Sequence, residues 1–466
     1  MIFLSCRPAT TLARALLAAI VVGVSASAVP AQAASEPPGR VDPLPADFLW
    51  GVATSGFQSE GHAPASNWTG YIDNPAFKHE KLRDSVDFYT HYREDIARAA
   101  DLGVKVFRLS VEWARVQPQP GRWDEAGFQF YDRVLAQIAA AGMQPMITLD
   151  HWVYPAWLGP NGWEDPGMVD QWLTNARKVV DRFDSPKTLW VTINEPAAYI
   201  VQELNHHPGP DFDGRFHKME DSFAQAHNGI YDYIHGKRPD AMVTSNIGFV
   251  SKDDESVNGR IFELIRDKLD FVSVDYYFGA TADLATRRSP RPGTTADGPQ
   301  LWNMPLQAEG IYYVIRRYVT KIVGNNATPE QKRRVRIYVA ENGMATKDGC
   351  EDPTYYRRAD YLRDVTYWLQ RARMDDFNVI GYNYWSLTDN YEWGSYTPRF
   401  GLYTVDVTTD PALTRKPTCA VEAYQTIIRG RGVAPDYLPT RAPVVPSLVD
   451  PPSSVTDPVT VPPRSG

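Results

Sequence analysis

Cysteine is scarce in this 466-residue chain, with three in all. Cys6 lies in the N-terminal leader, which leaves Cys350 and Cys419 in the body. An oxidising compartment would allow those two to pair, but spacing alone leaves a disulfide and two free thiols both open. Without a nearby histidine pattern they make a poor zinc site, and no metal is expected. Basic blocks are absent as well. The net charge is −8 and the charges are scattered, which argues against nucleic acid as a partner. A glycine-rich phosphate loop is missing: "LWGVATSGFQSEGH" has glycines, but not in G-x-G-x-x-G spacing, so no nucleotide cofactor is implied. The first apolar run, residues 15–24, is too short and too rich in Ala and Gly for a stable membrane span.

That run has another reading. Arg7 and Arg14 precede or flank it, and "AQA" at 31–33 offers small residues for cleavage. Residues 1–33 are therefore expected to be an export signal cut near Ala33, which makes the protein secreted or extracytoplasmic. At the other end, residues 434–466 are rich in Pro, Ser and Val and are expected to be an extended, solvated tail. Residues 34–433 remain as one large domain. The 43% hydrophobic content is ample for its core. Asn-x-Thr sequons stand at Asn67 and Asn326.

Inside the domain, short apolar runs alternate with helical segments. The runs begin at residues 48, 106, 145, 189, 242, 270, 337 and 379. Between them, 92–103 and 126–142 carry apolar residues at helical spacing and end on glycine. Near-continuous apolar strands with helices between them predict a parallel sheet covered on both faces. Eight such units fit a single (β/α)₈ TIM barrel with long βα loops better than an open doubly wound sheet.

In such a barrel the C-terminal strand ends face the active site. "VTINEP" (191–196) and "IYVAENG" (337–343) each run from apolar residues to a glutamate. Glu195 and Glu341 thus fall at strand ends, with Asn194, Glu112, His151, Asp275, Tyr277 and Trp385. Two carboxyls at one mouth suit glycosidic cleavage, where one protonates the leaving oxygen and the other attacks or stabilises the anomeric carbon. A separation of about 5–5.5 Å favours direct attack with retention, and about 6.5–9.5 Å admits a water and inverts. Arg108, on the second strand, is placed to keep a neighbouring carboxylate charged. A single strand-end glutamate usually makes a salt bridge, so the pair is what carries the argument. The stretch "YNYWSLTDNYEWGSY" (382–396) adds aromatics that can stack on sugar faces, around Glu392.

With "FLWGVATSGFQSEG", "FRLSVEWARVQP", "TINEP", "VAENG" and "YNYWSLTDNYEWGSYTPRFGLYTVD" in that order, the chain resembles glycoside hydrolase family 1, the β-glucosidase family, over residues 45–430. The resemblance implies a retaining β-glycosidase, a β-glucosidase above all, acting on a small-molecule or oligosaccharide β-glycoside without cofactor. It implies Glu195 as acid/base, Glu341 as nucleophile, and Arg108 and Tyr277 beside the nucleophile. Asn194 would hold the 2-hydroxyl; Gln58, His151, Glu392 and Trp393 would bind other glycon hydroxyls, with Trp385 as the platform. Asp275 departs from the family's usual Asn, and Val153 from its common Asp, which bears on sugar preference. Glu392 would repel a 6-phosphate. The rival readings are a transglycosylase of the same fold and a carbohydrate-binding protein that has lost catalysis. His206, His207 and His217 are expected to be solvated loop histidines in the segment 203–218.

Overall fold

The computed structural model describes residues 40–249, 254–277, 301–304, 306–347 and 349–441. The expected export signal, most of the loop 285–305 and the tail beyond residue 441 lie outside the described residues.

The sheet consists of β1 (Leu49–Ala53), β2 (Val106–Ser110), β3 (Gln144–Asp150), β4 (Leu189–Ile193), β5 (Met242–Thr244), β6 (Asn246–Gly248), β7 (Val272–Asp275), β8 (Arg336–Asn342) and β9 (Asn378–Trp385). Its order is β5-β4-β3-β2-β1-β9-β8-β7-β6, and every neighbour pair in it is parallel. The run expected as one strand from residue 242 supplies both ends of that order. Its first half pairs with β4 and its second half with β7, and the chain is continuous through Ser245. Ser245 Oγ donates to the Ile193 carbonyl at 2.7 Å, so this stave closes the ring. Nine short strands therefore make eight staves.

Alternation along the strands fills the barrel in layers. Val106, Met146, Leu189, Val191, Phe271, Tyr338 and Ala340 form a small apolar cluster. One layer toward the C-terminal ends, Arg108 and Thr148 follow Val106 and Met146 at the next inward positions. Around the ring, helices bury one apolar stripe each. In α1 (Phe88–Leu102) the buried residues include Phe88, Tyr92, Ile96, Ala99 and Leu102, at helical spacing. Asp87 caps its first turn and Gly103 ends it in the left-handed conformation. α2 (Glu125–Ala140) begins on the Asp124 cap.

Other sequence expectations meet different outcomes. The segment from Glu203 is not a long loop: α3 (Pro196–His206) and α4 (Phe212–Lys237) take up most of it. His206 is not solvated either. It is 6% exposed and stacks on Tyr71 with ring centroids 3.8 Å apart. Among the described residues, no group of three His, Cys, Asp or Glu is arranged to hold a metal, and no helix is long and apolar enough to cross a membrane. Asn67 is buried with its amide donating to the Trp152 carbonyl at 3.0 Å, so the first sequon is not presented as a glycan acceptor. The proline-rich stretch starts on the barrel surface: Tyr437 donates to Asp364 Oδ1 at 2.6 Å and the Thr440 amide to the same oxygen at 2.8 Å.

Cys350 and Cys419 form a disulfide, with Cα atoms 5.9 Å apart, across a sequence separation of 69. Closing a loop of that length restricts the unfolded chain. Replacing both cysteines by serine is expected to lower stability by about 2–4 kcal/mol, read from denaturant midpoints. A midpoint equal to that of the parent would show that the cross-link contributes nothing.

Candidate active site

The site is assembled around Arg108, which is fully buried. Its Nη1 donates to Glu341 Oε1 at 2.6 Å, its Nη2 to Asn194 Oδ1 at 2.5 Å and its Nε to Thr148 Oγ1 at 3.1 Å. One rigid fork on β2 thus ties together β3, the end of β4 and β8. The second oxygen of Glu341 accepts from the Tyr277 hydroxyl at 2.7 Å. Both oxygens are held, so the carboxylate plane is fixed.

Glu341 reaches this position through an irregularity. Tyr338 and Ala340 point inward, so simple alternation would send Glu341 outward. The register between β8 and β9 shifts between Val339 and Asn342. That bulge re-aims Glu341 toward Arg108. Asn342 then turns outward, accepting from Tyr382 at 2.9 Å and donating to Tyr361 at 3.0 Å.

Glu195 arrives differently. It is the residue before α3, in the left-handed conformation at φ 40° and ψ 64°, and Pro196 occupies the first helical position. A non-glycine residue there costs on the order of 1–3 kcal/mol. The conformation leaves its side chain uninvolved in capping. Gly248 on β6 makes the space: a Cβ there would lie 2.4 Å from Glu195 Oε1. Burial, then the charge of Glu341, push the Glu195 carboxyl up to about 8, against the pull of Arg108. The two glutamates therefore differ in state: Glu341 is the anion of an ion pair, and Glu195 holds its proton through neutral pH.

Asp275, at the end of β7, stands with them. It pairs in register with Gly248, the glycine against which Glu195 packs. Its carboxyl is raised well above the usual range by burial, then by the charges of Glu341 and Glu195. Asn246 links this side to the fork, donating to Asn194 Oδ1 at 2.7 Å and also to Asp275 Oδ2. With Asn194 Oδ1 accepting twice, its amide nitrogen is the group left to donate elsewhere.

The remaining expected residues form a shelf beside the acids. Trp385 ends β9; its Nε1 donates to Glu392 Oε1 at 2.7 Å, and the His151 ring stacks on it at 5.8 Å. Burial, then Arg108, push His151 well below its ordinary range, so the ring is neutral. Burial raises Glu392 to about 7. Gln58 Nε2 donates to Asn390 Oδ1 at 3.3 Å and to the Tyr391 carbonyl at 3.1 Å. Trp393 is 41% exposed at the rim, edge-on to Trp152 at 5.3 Å. The structure brings all these residues to one end of the barrel, as the charge effects between Glu195, Glu341 and Glu392 also require.

Glu112 does not join them. It turns to Ser110 Oγ at 2.7 Å and shares a buried cluster with Glu60 and Arg115, where burial and then the Glu60 charge raise it to about 8. Reading the sequence missed Asn246, Gly248 and Asn390. Asn246 had a signal: it is the one amide in the strand run "MVTSNIGF".

The family model for glycosyl hydrolase family 1 matches residues 40–250 and 232–433. Beta-glucosidase A of Thermotoga maritima is 27% identical, with 84% of this chain and 99% of its own length covered. The chloroplastic galactolipid galactosyltransferase SFR2 of Arabidopsis thaliana is 28% identical over 71% of this chain and 56% of its own. A solved structure of the Thermotoga maritima beta-glucosidase in complex with deoxynojirimycin shares the fold at a TM-score of 0.68 and 24% identity, covering 84% of this chain and all of that one. A match that runs from before the first stave to past the last, over a mouth that gathers two glutamates in unlike electrostatic states, places the protein: the chain belongs to glycosyl hydrolase family 1.

Proposed function

We propose that the protein is a retaining β-glycosidase, acting as a β-glucosidase on terminal non-reducing β-D-glucosyl residues by double displacement. The observation that carries this reading is the difference between Glu341, charged and clamped by Arg108 and Tyr277, and Glu195, held protonated beside it. Glu341 attacks the anomeric carbon while Glu195 gives its proton to the departing aglycone oxygen. A covalent glycosyl-enzyme results. Glu195, now a carboxylate, takes a proton from water, and the hydroxide oxygen displaces Glu341 with a second inversion. The amide nitrogen of Asn194 donates to the hydroxyl next to the anomeric carbon. Trp385 supports the apolar ring face, while Glu392, Gln58, His151 and Trp393 meet the outer hydroxyls. Membership of the family and the 27% identity with a beta-glucosidase support the sugar assignment.

We further propose that residues 1–33 direct export. The Cys350–Cys419 disulfide suits an oxidising compartment. A second reading is glycosyl transfer to an alcohol, favoured by the 28% identity with a galactosyltransferase. Added alcohol would separate the two: in hydrolysis free glucose equals released phenol, and in transfer it falls well short.

Glu341→Ala is expected to lose at least about 10⁴-fold in kcat on an aryl β-glucoside. Azide should then give the glycosyl azide of inverted configuration; parent-level turnover by the variant would overturn the assignment. Glu195→Ala should still form the glycosyl-enzyme from a dinitrophenyl glucoside, with deglycosylation slowed about 10²–10⁴-fold. The sign of the pH effect follows from Glu195: burial and Glu341 disfavour its anion, so the proton it must donate stays until about pH 8 and is lost above. The kcat/KM profile should fall on that limb. Proton NMR should detect the β-anomer of glucose first; an initial α-anomer would exclude retention.

A further inference from the structure

Glu203 is a buried carboxyl that takes no part in bond cleavage. It lies on α3, eight residues past Glu195, and is 2% exposed. Burial raises it to about 7, against the pull of three donors. The Tyr71 hydroxyl donates to its Oε1 at 2.6 Å, the Asn67 amide to the same oxygen at 3.2 Å, and the Tyr154 hydroxyl to Oε2 at 2.8 Å. All three donors come from outside α3. Asn67 and Tyr71 belong to the short helix Asn67–Asp73, and Tyr154 to the loop after β3. A buried carboxyl is costly, and an apolar side chain would fill the same space without that cost.

The same network reaches the turn at Glu195 from its other end. Asn67 also donates to the Trp152 carbonyl at 3.0 Å, and its Oδ1 accepts from the Tyr154 amide at 3.0 Å. The Trp152 indole donates to the Asn194 carbonyl at 2.9 Å. That carbonyl belongs to the residue just before Glu195. Asn67 is thus bonded to α3 about two turns beyond Glu195 and to the residue that grips the chain before it. Glu195, between the two anchors, is in the left-handed conformation and makes no side-chain cap. A non-glycine residue stays there only where surrounding contacts over-determine it. Pro196 does not help, since a residue before proline favours extended backbone.

We propose that Glu203 and Asn67 are positioning residues that brace the turn at Glu195 and hold its carboxyl at the leaving-group oxygen. This rests on the assignment of Glu195 as acid/base. They act through the Trp152–Asn194 contact on one side and through the opening turns of α3 on the other. With the brace loosened, Glu195 relaxes toward extended backbone and its proton moves away from the leaving oxygen. The nucleophile is held separately, by Arg108 and Tyr277. The loss therefore falls on proton donation and not on nucleophilic attack.

The test compares kcat/KM on two β-glucosides that differ only in leaving group. This constant reports formation of the glycosyl-enzyme. A dinitrophenolate departs without a proton, whereas the alkoxide of octyl β-glucoside needs one. In full-length Glu203→Gln and Asn67→Ala, kcat/KM should fall at least about 10-fold on the octyl glucoside and less than about 3-fold on the dinitrophenyl glucoside. Tyr154→Phe, which deletes one hydrogen bond and little volume, takes their place if neither folds by circular dichroism, and should show the same selectivity. A merely structural role would lower both substrates alike. An equal fall, or no fall on either substrate, overturns the proposal. Glu195→Ala, assayed beside them, separates the two claims. Selectivity there with none in the other variants removes only the brace, and no selectivity in Glu195→Ala removes the acid/base assignment itself.

Discussion

One buried cation organises the mouth of this barrel. Arg108 sits among Glu341, Asp275 and Glu195, and its planar fork meets a carboxylate and an amide at fixed angles. Breaking a buried ion pair by removing one partner costs about 3–5 kcal/mol, because the other charge stays uncompensated. The cost here is compounded, since three acids depend on the same guanidinium. Arg108 decides which of them is ionised. The one that it touches, Glu341, is the anion; Glu195 and Asp275 feel its pull more weakly, and burial with the Glu341 charge raises both. Reactivity at this site is therefore a matter of distance from a single side chain.

The barrel and much of the site were legible in the sequence for a shared reason. Strands buried on both faces must be apolar throughout, so a polar residue at a strand end stands out. "VTINEP" and "IYVAENG" could be read that way, and Arg108 also stood out within an apolar run. Glu112 shows the limit. It has the same sequence signature as Glu341, yet it serves a separate buried cluster with Glu60 and Arg115. The direction of a side chain at a strand end depends on local irregularity. The bulge that turns Glu341 inward leaves no trace in residue type.

Long-range geometry was equally hidden. Gly248 matters because Glu195 occupies the volume of its missing side chain, 53 residues away in sequence. Asn246 matters because the ring closes through its stave, which gives it one neighbour on each side of the seam. His206, at the end of α3, was misjudged because the polar, glycine- and proline-rich stretch that follows read as loop. In fact Tyr71 and Trp68 enclose His206 with aromatic rings. Composition registers how polar a stretch is, and not which rings from elsewhere cover it.

The disulfide divides the molecule in a way the barrel does not. The chain between Cys350 and Cys419 forms a covalent hoop that carries Trp385, Glu392 and Trp393, while Arg108, Glu195 and Glu341 all lie outside it. The end of β9 and the loop after it are thus looped onto a closed ring, and the three residues of the ion-paired acid cluster are strung on the open chain. A protease that nicks the hoop would leave both fragments tethered, with the segment that carries Trp385 and Glu392 still anchored at its two feet. Wear on the exposed rim around Trp393 is in this way separated from the machinery beneath it.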